Sequence, residues 1–274
     1  MATAADKADY DQKTSGLKKS NDKINKAIES YKKKIASLNK DEAADKIIKT
    51  KLKIIENLIK VSFNYLSISR ISLATLKIKN ENILNQARKN LYNILQHFEE
   101  IVGKVINDPL TEGKEELADF FKLMTNLEKF ELFKKIGFLL MKTESLYGKS
   151  SKWKWSFVEL EGRVLNALKN SIDFTTFFKN MDPSVEGYSE RMELLEFLMQ
   201  SLDEVAERYR NKYELTNKRV LDMKSALDFL ALKKRICMLE GDQEQTEQVK
   251  RKFDSWNKKL NEDLENEKQT KVRK

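Results

Sequence analysis

Apolar residues recur three and four positions apart from Ala43 to Asn107. The series includes Ile47, Ile48, Leu52, Ile55, Leu58, Ile59, Phe63, Leu66, Leu73, Leu76, Ile83, Leu84, Leu91, Leu95, Phe98 and Ile101. That spacing stacks side chains on one face of an α-helix. The stretch holds no proline, and its only glycine is Gly103. It therefore reads as one rod, roughly 95 Å long if unbroken. Residues 61–79 alternate apolar and polar in a strand-like way, but no turn residue interrupts them. A lone strand would leave its backbone groups unpaired, so helix is expected here too, with apolar residues on more than one face.

The same spacing places other helices along the chain. Residues 1–20 are small and polar and read as a loose tail. Ile24, Ala27, Ile28, Tyr31, Ile35 and Leu38 predict a helix over 21–39, which Asn39 to Asp41 would break. Asp108-Pro109 has the form of an N-cap followed by a first helical proline. A helix over 114–146 is expected after it, then a loop at 147–151 and a helix over 153–181. Asp182-Pro183 repeats the cap-and-proline pattern. A second rod is predicted from Ser189 to Glu240, with Leu195, Leu198, Leu202, Val205 and Tyr209 spaced as in a bundle seam. A polar patch at 210–219 interrupts that seam. Gly241-Asp242 marks a turn, a last helix covers 244–265, and 266–274 reads as a charged tail.

The fold class is all-α. Two very long helices with short ones between them predict an elongated body over 21–265, V-shaped or bent. In it two bundles, or arms, share the helices 43–107 and 189–240.

Composition narrows the function more than the fold. Charged residues make up 35% of the 274, and the net charge is +9. A basic balance suits acidic partners. Here Glu and Asp are interleaved with Lys, as on solvated helix faces, so nucleic acid is not the expected partner. One His and one Cys, His97 and Cys237, cannot build a usual zinc site or a di-iron bundle. No phosphate-cradling glycine loop or nucleophile elbow occurs. The expectation is a non-enzyme with no cofactor, no metal and no small-molecule substrate. Cys237 and His97 read as packing residues. No apolar run reaches the ~20 residues that span a bilayer.

Candidate chemistry then reduces to aromatic anchors. Lys152-Trp153-Lys154-Trp155-Ser156-Phe157 interleaves lysines with aromatics, which suits a protein interface, a lipid interface or stacked bases. The same run also fits a helix start that buries Trp153 and Phe157. Trp153, Trp155, Tyr188, Tyr213 and Trp256 are the candidate protein-interface residues, with Tyr209 beside them.

The two long helical spans, Ala43–Asn107 and Ser189–Glu240, the shorter helices between them and the lysine-, isoleucine- and asparagine-rich composition together resemble the flagellar coiling proteins of spirochaetes. That resemblance covers the whole chain and implies an all-helical, V-shaped sheath protein of the periplasmic flagellum. It implies lateral contacts with itself and with other sheath and core filament proteins that promote coiling and motility. It further implies export, so the start of this chain, which has no signal-peptide pattern, fits a mature periplasmic form. The competing reading is a cytoplasmic helical adaptor or a basic nucleic-acid-associated protein.

Overall fold

The computed structural model describes residues 3–38, 44–111 and 117–272, and these are helical with no strand among them. The all-α class is as the apolar spacing predicts. The chain forms two compact units: residues 1–104 with 113–171, and residues 105–112 with 172–274.

The first unit begins with α1 (Ala4–Ala36), α2 (Ala44–Leu76) and α3 (Glu81–Val102). The expected N-terminal tail is helical because Thr3 and Asp6 form a capping box that starts α1. The buried face of α1 carries Thr14, Asn21 and Ile28, one per seven residues. Two of these are polar, which is why hydropathy finds only the second half of the helix, as the expected 21–39 segment, and misses the first. Asn21 Oδ1 accepts a bond of 2.8 Å from Asn64 Nδ2 on α2, fixing the register of the pair. The expected breaker at Asn39 to Asp41 lies outside the described residues.

The expected 43–107 rod is two helices. After Leu76 the backbone reverses at Lys77, which sits at φ 58 in the left-handed region. The Ser72 hydroxyl donates to the Ile78 carbonyl across the bend, and Asn80 caps α3 by accepting from the Ile83 N–H. Lys51 Nζ then meets Glu100 Oε2 at 3.0 Å, so the two helices run antiparallel, side by side. No Gly or Pro marks this turn, and the apolar pattern continues through it.

The helix expected over 114–146 is α4 (Ala118–Leu123) and α5 (Asn126–Tyr147). The Thr125–Glu128 capping box restarts the chain between them. The start of that expected helix, at Lys114, lies outside the described residues. α6 (Lys154–Asn170) completes the unit. Phe98, Phe133, Phe157 and Leu160 fill its core.

The second unit holds α7 (Phe174–Lys179), α8 (Tyr188–Leu215), α9 (Val220–Glu240) and α10 (Gln243–Val272). The helix expected over 153–181 stops at Asn170 because Asp173 caps α7 separately, accepting from the Thr176 N–H. Asp182-Pro183 is a turn in which Asp182 accepts from the Ser184 N–H, and no helix starts there. Asp108-Pro109 is likewise no helix start. Its strand of chain lies on α9, where the Arg235 guanidinium donates to the carbonyls of Ile106, Asn107 and Asp108.

The second expected rod also reverses, at Lys218 with φ 51. Lys212–Asp222 and Asp203–Lys233 ion pairs stitch α8 to α9 in antiparallel order. Each hairpin thus belongs wholly to one unit, and the two arms do not share long helices. Gly241, at φ 82, ends α9 with the Asp242 N–H reaching back to the Cys237 carbonyl. α10 runs past the expected end at 265 into the charged segment, as far as Val272.

Candidate protein-binding surfaces

The Lys152–Phe157 run starts α6. Trp153 is half-buried, with the Arg88 guanidinium of α3 only 3.7 Å from its ring centroid. Trp155 is also half-buried, with Lys154 Nζ 4.5 Å from its ring. Phe157 is fully buried against Tyr147, whose hydroxyl donates to Asn85 Oδ1 at 2.7 Å. Nearly two helical turns beyond, Arg163 makes a two-pronged contact with Glu99, at 2.7 and 2.9 Å. Burial works against the Arg163 charge, but its bonds to Glu99 outweigh that and raise its pKa. The segment clamps α6 onto α3. Stacking of this kind is worth about 1 kcal/mol where partly desolvated.

Tyr213 and Trp256 lie inside the second unit, at 1% and 4% exposure, so neither offers an anchor to a partner. Tyr213 lies four residues past Tyr209 and so continues the buried face of α8 into the patch that interrupts the apolar seam. Tyr213 donates to Asp263 Oδ2 at 2.9 Å, and Asp263 also accepts from Lys218 and Lys259 at 3.2 and 2.8 Å. Those bonds, Lys259 first, hold the Asp263 carboxyl down at about 2. Burial and the Asp263 charge push the Tyr213 hydroxyl up. Trp256 sits between Arg210 and Lys252, 4.8 and 5.0 Å from its ring. Tyr209 stacks on Phe229 at 5.8 Å. Tyr188 is half-buried at the first position of α8.

The remaining singled-out residues are structural in their contacts. Cys237 is fully buried, and burial pushes its thiol up to about 11, far from the thiolate a nucleophile needs. His97 Nδ1 stands 3.6 Å from Glu100, too far for a hydrogen bond. Burial keeps its imidazole below the usual value, against the pull of Glu100.

Two surfaces escaped the sequence reading. In the first unit, Phe138 and Met141 on α5 are 48% and 50% exposed, and Phe138 lies 6.0 Å from Phe63 of α2. Cations surround this patch. Lys134, Lys135 and Lys142 sit a turn either side of Phe138, and Lys60 and Arg70 share the outer face of α2 with Phe63. Lys134 pairs with Glu131, whereas the other four meet no carboxylate among the described residues. The sequence signal was present: Phe138 and Met141 add a second apolar face to α5, beyond the stripe of Phe130, Phe133, Ile136 and Leu140.

In the second unit a groove of about 380 Å³ opens along α8 and α9. Leu195, Met199 and the exposed Met192 supply its apolar part; its charged groups are Glu196, Glu240 and Lys233, the last held in an ion pair by Asp203. Neither glutamate meets a cation among the described residues. Burial, then the charge of Asp242, raises the Glu240 pKa. The charge contrast extends to the whole units. The first holds 32 Lys and Arg against 20 Asp and Glu, a net +12; the second holds 20 against 23, a net −3.

The fold and these surfaces define an all-α protein of two helical units, one basic and one mildly acidic. Within that class the chain belongs to the TP0443 family, whose pattern it matches over residues 6–264. No curated protein and no solved structure matches it.

Proposed function

We propose that this chain is a structural assembly protein, a helical building block of a spirochaete periplasmic flagellar sheath that promotes filament coiling and motility through protein–protein contacts. The observation that carries the reading is a pair of charge-rimmed surfaces, an exposed apolar patch on the first unit and a groove with the exposed Met192 on the second. Surfaces of that kind mark contacts with other proteins. The resemblance to the flagellar coiling proteins and the Treponema-derived family name support the setting. Many weak lateral contacts along a filament would add up by avidity.

The test is electron cryotomography of flagellar filaments from cells with and without the gene. Density assigned to this chain on wild-type filaments, with curvature lost in the deletion, supports the reading. Filaments of unchanged density and curvature sink it.

The +12 of the first unit favours one second reading, a nucleic-acid-associated adaptor. Filter binding against salt decides it, because phosphate contacts give a steep log–log slope. Absence of binding at about 0.1 M salt removes it.

A further inference from the structure

We infer that the basic patch of one copy docks into the acidic groove of another, giving a head-to-tail assembly of this chain with itself. This inference rests on the structural reading above and names the partner of those surfaces. The patch supplies Phe138, Met141 and Phe63 as apolar contacts, rimmed by Lys60, Arg70, Lys135 and Lys142. The groove supplies the exposed Met192 above the buried Leu195 and Met199, flanked by Glu196 and Glu240, with Lys233 of its wall neutralised by Asp203. Thioether side chains reshape to fit an incoming ring, and a phenylalanine is a suitable anchor for such a cleft.

Charge selects the pairing. Patch against patch would set lysines on lysines, and groove against groove would set carboxylates together. Like charges brought together at an interface oppose binding, so a symmetric dimer through either surface is disfavoured. Patch against groove pairs opposite signs at the rim and apolar atoms at the centre. Because the two surfaces differ, each added copy leaves one patch and one groove free. Such a heterologous contact grows as a ring or an open chain and does not stop at two. A net +12 on one unit and −3 on the other gives the approach the same polarity at longer range.

Sedimentation velocity of the full chain tests this. The average mass should rise with concentration past about 64 kDa, twice the 32.1 kDa of one chain. It should fall toward that of the single chain between about 0.05 and about 0.5 M salt, where screening shortens to a few ångströms. Two variants carry the decisive comparison, Lys135→Glu with Lys142→Glu, and Glu196→Lys with Glu240→Lys. All four positions are exposed, and unchanged helical circular dichroism checks the fold. Each variant alone should stay monomeric. Mixing them should restore assembly, since every contact then pairs opposite charges again. A wild-type chain that is monomeric throughout, assembly indifferent to salt, or a mixture that stays monomeric would overturn the inference. A chain failing here but found on native filaments keeps the structural role and attaches through other proteins. One that assembles but is absent from filaments keeps this contact and loses that role.

Discussion

The Tyr213 hydroxyl donates to the Asp263 carboxylate at 2.9 Å, tying α8 to α10. A phenol that the sequence offers as an anchor for partners is instead spent inside the unit. Its partner accepts two lysines as well, so this one carboxylate holds the ends of α8 and α10 and the turn at Lys218 together.

Acid should loosen this junction. The folded-state pKa of Asp263 is about 2, below the ordinary 3.8. A depressed carboxylate stabilises the fold above its unfolded pKa, and that contribution fades as pH falls from about 4 through about 2. After allowance for solvent screening the contribution is about 1 kcal/mol. Asp263→Asn should lower the unfolding midpoint at pH 7 and flatten its dependence between these limits. An undiminished acid dependence in the variant would refute the assignment.

The Arg163–Glu99 fork should resist conservative replacement. Lysine lacks the planar two-pronged donor, so Arg163→Lys should cost about 1–2 kcal/mol, nearly as much as Arg163→Met. Urea unfolding with a probe in the first unit reads this out. Full rescue by lysine would mean that only charge matters there.

Lys77 lies in a backbone region that costs an L-residue about 1 kcal/mol. Lys77→Gly should therefore hold or raise the melting temperature, although glycine costs some unfolded-state entropy. Lys218→Gly should gain less, because it also loses the bond to Asp263. A β-branched residue at either site should lower it. Scanning calorimetry of the set gives the order, and a Lys77→Val variant as stable as wild type would contradict the strain.

Cys237 should label with a thiol reagent only as the second unit opens. Full burial and a thiol pKa of about 11 leave almost no accessible thiolate at pH 8. Labelling rates should climb with urea in step with unfolding. Fast labelling in native buffer would show the site open.

The helical class was legible because three-and-four spacing survives in nearly every element. Two hairpin turns were not, since lysines rather than glycines occupy the left-handed positions at 77 and 218. The apolar pattern runs on through the first. The second lies in the polar patch at 210–219, which reads as an interruption of the seam and not as a reversal. The first half of α1 was hidden because its buried positions are polar: Thr14 donates back to the Tyr10 carbonyl of its own helix, and Asn21 accepts from Asn64 of α2, bonds that hydropathy does not register. Among the candidate anchors, spacing alone did not distinguish inward from outward. Tyr213 and Trp256 turned inward, while Phe138, on a helix with apolar residues over most of its surface, was left facing solvent.

The seam of α1 has a mechanical consequence. Ile28 is the only fully buried aliphatic residue that this 33-residue helix contributes, the other two buried positions being Thr14 and Asn21. Little apolar area resists its detachment, so it should be the weakest-held segment of the first unit. Its amides should exchange with deuterium soonest, and under tension it should peel away first, working as a give-point while α2 and α3 keep their grip on each other.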